Sequence, residues 1–529
     1  MRSLGTLASE VFDVAIVGGG ITGCCIARDA ARRGLRVALV EQRDFSSGTS
    51  AATSKMVHGG LRYLETFALG VVRESLRERR AWQTIAPHLV RPLTFLLPTH
   101  GRAEDWKYRT ALAAYDALSF ARGRPPHPSQ QLGASQHLSA DALTDLEPVL
   151  TAVNLRSGMR YDDCHAYAPE RIALECLMDA CDHGAQVANH VEAERLVDGV
   201  PQQLEVRDCL TSETFTVQAR LVVNASGPWS ELLGRRLGAP APHQLLRSKG
   251  IHIVTRPLTG RAALTVPVLG RHFFVIPWRD HSLIGTTDTP YDGSPDDVGV
   301  TEADLDSFLV VINAGLPAAH LSRDDVQWAY AGLRPLIAPS SGGSYRASRR
   351  AEIVTERPGL LSVIGGKWTT SRGLAQRCVD VVVRALGAGV TACDTATAVL
   401  PGGRDMAPVP VADAHRLERR AVEETVHLHG ARAGRVLDLA ASDTRLGTVI
   451  AHHTLAAAVV FAVRHEMALT LGDVLFRRTG AGTLGPLPHA TLGAVTQLMA
   501  AELGWSTERA TREVDAVLVH YRRVSMLVA

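Results

Sequence analysis

Six residues near the N-terminus, Gly18-Gly19-Gly20-Ile21-Thr22-Gly23, have the spacing G-x-G-x-x-G, and the chemistry this spacing serves is phosphate binding. Gly18 permits a tight turn, Gly20 lets a pyrophosphate approach the backbone, and Gly23 allows close packing of a helix on a strand. A helix that begins there offers free N–H groups and a positive dipole end to the phosphates. Glu41 stands at the end of the next apolar run, where an acid accepts hydrogen bonds from an adenosine ribose. The pattern alone does not separate NAD from FAD. Gly480 to Gly485 repeats the spacing, and Gly387 to Ala392 fits its relaxed form. Both follow helical segments rather than strands, so they read as loops.

The elements that must position this turn are legible around it. Phe12 to Val17 is a short apolar, β-branched run of the kind buried in a parallel sheet. Thr22 to Arg33 favours helix, Gly34 falls at a left-handed cap, and Leu35 to Val40 is the next strand. Together they form a complete βαβ unit. A Ser/Thr/Gly segment from Ser46 to Gly60 follows, then a helical stretch to about Pro87, and residues 121–137 read as a surface loop. Pro169 opens a helix closed by Gly184, and Leu221 to Asn224 is another buried strand. Between about 240 and 335 the pattern becomes alternating strands, including Ile251 to Val254, His272 to Pro277 and Ser282 to Gly285. Ser362 to Ile364 returns to a buried strand ahead of Gly365-Gly366. Beyond a Pro/Gly linker at 398–412 the chain reads as helical, with Val463, Met467, Leu471 and Val474 spaced as one apolar face.

The predicted fold class is therefore α/β plus α. A Rossmann-like nucleotide-binding domain (11–90, with about 150–235 and 345–390) is joined by an antiparallel-sheet domain (236–344, with about 91–149). A linker at 391–412 then leads to a C-terminal helical domain at 413–529. At 529 residues, two or three domains are expected.

Composition narrows the function. The net charge of +2, with acids and bases interleaved, provides no broad positive field for nucleic acid, so any anion recognition falls to a few local arginines. The eight cysteines form no C-x-x-C pair and no zinc-like spacing with histidines, so no metal is expected. Met1 to Glu10 lacks the apolar core of a signal peptide, and no apolar run approaches the roughly 18–20 residues that span a bilayer. The expectation is a cytoplasmic protein whose membrane contact, if any, is peripheral.

The segment Gly48 to Glu65 (GTSAATSKMVHGGLRYLE) closely resembles the signature of FAD-dependent glycerol-3-phosphate dehydrogenases, within the D-amino-acid-oxidase-like flavoproteins. Further matches follow in order: NASGPW at Asn224 to Trp229, IPW at Ile276 to Trp278, GTTD at Gly285 to Asp288, GLRPL at Gly332 to Leu336 and GGKWTT at Gly365 to Thr370. His465 to Ala468 (HEMA) and Leu475 to Thr479 (LFRRT) resemble the C-terminal helical domain of that family. Ser226, Trp368, Ser371 and Ile251 depart from its usual residues.

This resemblance implies FAD as cofactor, held by Gly18, Gly20, Gly23, Glu41, Thr49, Ser50, Ser54, Lys55, Ala225, Gly227, Gly366, Lys367, Thr369 and Thr370. His58, Gly59, Gly60 and Leu61 would pass beside the isoalloxazine. A helix starting near Thr369 would aim its N-terminus at the flavin. Arg62, Tyr63, Arg334 and Arg349 would bind the substrate phosphate, arginine being suited by its planar fork. His252 is favoured as base, with Lys367 and Arg334 polarising the substrate oxygen. The implied reaction oxidises sn-glycerol 3-phosphate to dihydroxyacetone phosphate by hydride transfer to FAD, with electrons passing to a quinone and a homodimer left open. The alternatives are an oxidase that uses oxygen, an FAD oxidoreductase for another hydroxy or amino acid, and a flavin-binding regulatory protein.

Overall fold

The computed structural model describes residues 2–61, 68–119, 128–151, 154–239, 245–268, 270–337, 351–404 and 417–524. Within them the first predicted strand forms as Val11–Val17, followed by a helix at Ile21–Arg32 and a strand at Val37–Val40. Val11–Val17 pairs in parallel with Val37–Val40 on one side and with Thr214–Asn224 on the other. Leu360–Ile364 and Gln186–Ala188 extend the parallel sheet outward, and Glu352–Arg357 closes one edge in antiparallel sense. A run buried on both faces cannot alternate polar with apolar residues, which is why Ala-Ile-Val and Val-Ala-Leu-Val read as continuous.

On one face of this sheet the helices Ile21–Arg32, Pro169–Asp182 and Ser371–Leu386 share a core. Ile26, Ala27 and Ala30 meet Cys176, Leu177 and Cys378 there. Alanines at the contact let the helices approach closely, so a large residue at Ala27 or Ala30 would overpack the junction. The opposite face buries Phe12, Ala15, Val217 and Leu204.

A second sheet carries Leu245–Thr255, Ala263–Val268, Arg271–Trp278, His281–Gly285 and Val326–Ile337, together with Val90–Thr99 and Ser157–Ala166. It is antiparallel except where Ala263 and Leu264 run parallel to Phe95 and Leu96. Ser157–Ala166, expected with the nucleotide-binding residues from about 150, pairs instead along the whole of Val90–Thr99 in this second sheet. Helix Glu302–Gly315, begun by a Thr301/Asp304 capping box, covers one face with Leu305, Phe308 and Ile312.

The C-terminal segment is helical, but Val463, Met467, Leu471 and Val474 do not share one helix. Helix Ala456–His465 ends at Glu466, Met467 takes a left-handed φ of 56°, and a Thr470/Asp473 capping box starts a new helix at Leu471. The break follows from a buried ion pair: both Glu466 carboxylate oxygens are held by Arg171 from helix Pro169–Asp182, at 2.8 and 3.0 Å. Arg478 likewise grips Asp44 at 2.5 and 2.9 Å. The HEMA and LFRRT segments thus lock the helical region onto helix Pro169–Asp182 and the loop after strand Val37–Val40. No described helix is long and apolar enough to cross a membrane.

Candidate active site and cofactor cleft

A cavity of about 540 Å³ runs from the glycine turn to the second sheet. At its first end Gly18 has φ +113°, and a Cβ there would lie 2.8 Å from the Ala225 carbonyl oxygen. A Cβ on Gly23 would sit 1.9 Å from the Gly18 oxygen, so only glycine lets this helix start so close to its strand. Gly20 caps that helix and lines the cavity, whereas Gly23 is buried behind the turn. Glu41 also lines the cavity, with its carboxylate accepting from the Gly19 N–H at 2.6 Å and the Arg43 N–H at 2.9 Å. Burial pushes this carboxyl above its usual range. Each oxygen keeps a lone pair for a further donor.

The Ser/Thr run stitches the two sheets together along the cavity wall. Ser50 Oγ accepts from the Ile21 N–H at 2.9 Å, and Thr49 donates to the Leu333 carbonyl at 2.7 Å. Ser54 Oγ lies 2.7 Å from His252 Nε2. Lys55 departs from the expectation. Its buried side chain turns to a separate, smaller cavity, where the ammonium sits 4.7 Å over the Trp278 ring. His58 and Leu61 line the main cavity, but Gly59 and Gly60 do not. The Gly59 N–H instead donates to Tyr115 Oη at 2.9 Å, above an Asp163 that is held by Arg79 at 2.8 Å. A Cβ on Gly59 would meet that hydroxyl at 2.2 Å.

Ala225, Gly227, Gly366, Lys367 and Thr369 line the cavity, while Thr370 lies behind it. The helix expected near Thr369 starts at Ser371, after a tight turn in which the Thr370 N–H donates to the Lys367 carbonyl. Trp368, one of the departures from the family pattern, packs against Trp82 with ring centroids 5.1 Å apart.

At the far end, register places the chemistry. His252 faces Tyr330 on one side and Gly285 on the other, while Ser248 faces Arg334. Because side chains alternate along a strand, His252, Tyr330 and Arg334 share one face. The His252 ring stacks on Tyr330 with centroids 5.0 Å apart, and the tyrosine hydroxyl donates to the Thr53 carbonyl at 2.7 Å. Arg334 Nη2 donates to Thr286 Oγ1 at 2.9 Å and to the Thr287 carbonyl at 3.0 Å. Its close neighbour Gly250 leaves the space, since a Cβ there would lie 2.3 Å from that nitrogen. Burial, then Arg334 and Lys55, push His252 down to about 3, so the imidazole is neutral.

Arg62, Tyr63 and Arg349 lie outside the described residues. Tyr330, Ser248 and Asp163, which support or line the site, were not singled out from sequence; Thr286 fell within the GTTD match but was given no role. Nothing in their local spacing marks them, because cross-strand register brings them in.

The described site is rich in positions where only glycine fits, and it joins a nucleotide-binding turn to a neutral histidine and an oriented arginine. Comparison with known proteins gives the family of the chain. Residues 13–381 match the family described as FAD dependent oxidoreductase, and residues 393–510 match the C-terminal domain of alpha-glycerophosphate oxidase. A glycerol-3-phosphate dehydrogenase from Synechocystis is 35% identical, the alignment covering 97% of each chain. An aerobic glycerol-3-phosphate dehydrogenase from Staphylococcus aureus is 32% identical over 90% of this chain and 87% of its own. The crystal structure of a glycerol-3-phosphate dehydrogenase from Bacillus halodurans, complexed with FAD, superposes with a TM-score of 0.80. It shares 30% identity and covers 98% of this chain and 96% of its own.

Proposed function

Because the chain belongs to the FAD-dependent oxidoreductase family together with the glycerol-3-phosphate dehydrogenases, we propose that it oxidises sn-glycerol 3-phosphate to dihydroxyacetone phosphate and passes the electrons to a quinone. The observation that carries this reading is the shared face of His252 and Arg334 at the end of a cleft that begins at the glycine turn. The residues present fit FAD: Gly18 and Gly23 leave no room for a side chain, and Glu41 and Ser50 border the turn. When bound, FAD supplies the two-electron acceptor for the substrate hydride.

The residues of the chain would divide the remaining work. Arg334, braced by Thr286 and the Thr287 carbonyl, orients the anionic substrate, and Lys367 from the GGKWTT turn polarises the C2 oxygen. Arg62, Tyr63 and Arg349 are assigned to the phosphate through their motifs. His252 accepts the C2 hydroxyl proton at a ring nitrogen, with its plane fixed by Tyr330 and Ser54. Burial first, and then the cation of Arg334, depress His252. A phosphate dianion beside Arg334 offsets that cation, so the imidazole becomes more basic as substrate arrives.

Phe95, Leu97, Tyr108 and Phe274 form an apolar wing of the same cavity, which supports a ring-shaped acceptor such as a quinone. Peripheral contact with the cytoplasmic face of a membrane would supply that acceptor. The match of residues 393–510 to an oxidase C-terminal domain favours one second reading, in which oxygen is the acceptor. Anaerobic stopped-flow absorbance tests both. Flavin should bleach with sn-glycerol 3-phosphate and not with glycerol or D-amino acids, and the reduced enzyme should reoxidise faster with a quinone than with air. Absence of bleaching by the phosphorylated substrate would overturn the reaction, and faster reoxidation in air would assign the oxidase.

A further inference from the structure

Against the 47–55 loop lies a second cavity of about 130 Å³, lined by that loop, by the second sheet and by the C-terminal helical region. Its walls are aromatic, with Trp278, Trp328 and Phe476, yet cations line it from mouth to floor. Arg523 is exposed at the mouth, Arg477 is half-buried, and Lys55 at the floor has a side chain only 3% exposed.

The two buried cations, Lys55 and Arg477, are only partly satisfied. The Lys55 ammonium has three donors, and its nearest carboxylate, Glu170, is 3.7 Å away, beyond hydrogen-bond distance. The facing Glu170 Oε2 has no hydrogen-bond partner. Among the described residues Arg477 donates only to the carbonyls of Phe476 at 3.2 Å and Ser47 at 3.5 Å, and its Nε is buried without a partner there. Among the described residues no carboxylate pairs with Arg477 or Arg523. Arg43, also at the cavity, is already neutralised by Asp296 at 2.6 Å. Burial pushes Lys55 and Arg477 below their usual values despite the nearby carboxylates, the cost expected of cations whose counter-charge does not make up for lost water.

We infer that this second cavity is an anion site for a phosphate group, held by Lys55, Arg477 and Arg523. A phosphate carries about −1.5 to −2 near neutral pH, which matches the surplus of Lys55, Arg477 and Arg523 over Glu170 once Arg43 and Asp296 cancel each other. Its oxygens accept the forked donors of arginine and the ammonium together. Gly48, Thr49 and Ala52 border both cavities, so an occupant here braces the wall of the cofactor cleft from behind. The inference stands on these residues and is independent of the proposed reaction.

The test is calorimetric titration of the oxidised, FAD-loaded enzyme with inorganic phosphate, and separately with dihydroxyacetone phosphate. Wild type is compared with Arg477→Gln, Arg477→Lys and Arg523→Gln. Phosphate should bind wild type, weaken about tenfold or more in Arg477→Gln and severalfold in Arg523→Gln, and be largely restored in Arg477→Lys. Flavin bleaching by sn-glycerol 3-phosphate should be unchanged in these variants, which separates this site from the main cavity. If dihydroxyacetone phosphate competes for the Arg477-dependent site, the occupant is a phosphomonoester; if it does not, the occupant is free phosphate. Should Arg477→Gln fail to fold, the exposed Arg523→Gln carries the comparison. Wild-type affinity in the folded arginine-to-glutamine variants, or no phosphate binding at all, would overturn the inference.

Discussion

Gly285 lies opposite His252 in the antiparallel register, and a Cβ on Gly285 would stand 2.0 Å from the imidazole Cδ2. The glycine of the GTTD motif is therefore the space in which the histidine ring lies flat on Tyr330.

The Gly285→Ala variant should push the ring off Tyr330 while leaving the nucleotide end untouched. Flavin reduction should slow by roughly 10²-fold, the scale of a misplaced catalytic group, with FAD content unchanged. A wild-type reduction rate in stopped flow would show that the ring position is not critical.

Removing the imidazole tests its role directly. His252→Ala should slow flavin reduction by about 10²–10⁴-fold while substrate affinity changes little, as expected for loss of a general base. An unchanged reduction rate would remove His252 from that role.

Acid should distinguish the folded from the unfolded His252. Its folded value is about 3, below the roughly 6.5 of an unfolded histidine. In this window the unfolded chain binds the proton and the folded one does not, so this residue costs stability as pH falls from 6.5 toward 3. Between pH 6.5 and 4.5 a His252→Gln variant should gain on wild type by on the order of 2 kcal/mol. Urea unfolding midpoints at the two pH values would show it, and a gap that does not change would contradict a neutral buried ring.

The Arg171–Glu466 pair is fully buried, and its carboxylate is held well below the usual range by the guanidinium. Glu466→Gln should leave a buried guanidinium without its charge partner, destabilising the protein by about 3–5 kcal/mol. The wild-type contribution is present above the unfolded glutamate value of about 4.3 and is lost as pH falls through the lower folded value. Denaturant unfolding near neutral pH should therefore separate the two proteins, and the difference should shrink in strong acid. Equal midpoints at neutral pH would show that the pair contributes nothing to the docking of the helical region.

How much was legible from sequence depended on range. The first βαβ unit, its glycine turn and Glu41 were readable because strand period, helix propensity and glycine sterics act over a few residues. The helix after Pro169 begins as predicted for the same reason, with proline at its first position. Family resemblance then supplied the identity of the site, at residues such as His252 and Arg334 that periodicity alone would leave anonymous.

Tertiary structure alone decided where several of those residues point. Lys55 sits next to Ser54, but its left-handed φ of 51° sends its side chain to the second cavity. Gly59 supports its turn from beneath, through Tyr115 and Asp163, rather than lining the cleft. The apolar spacing from Val463 to Val474 suggested one helix, yet a buried guanidinium more than 290 positions away captured Glu466 and ended it. Local pattern determines which elements form. Ion pairs, cross-strand register and cavities join residues far apart in the chain, and those only the folded molecule brings together.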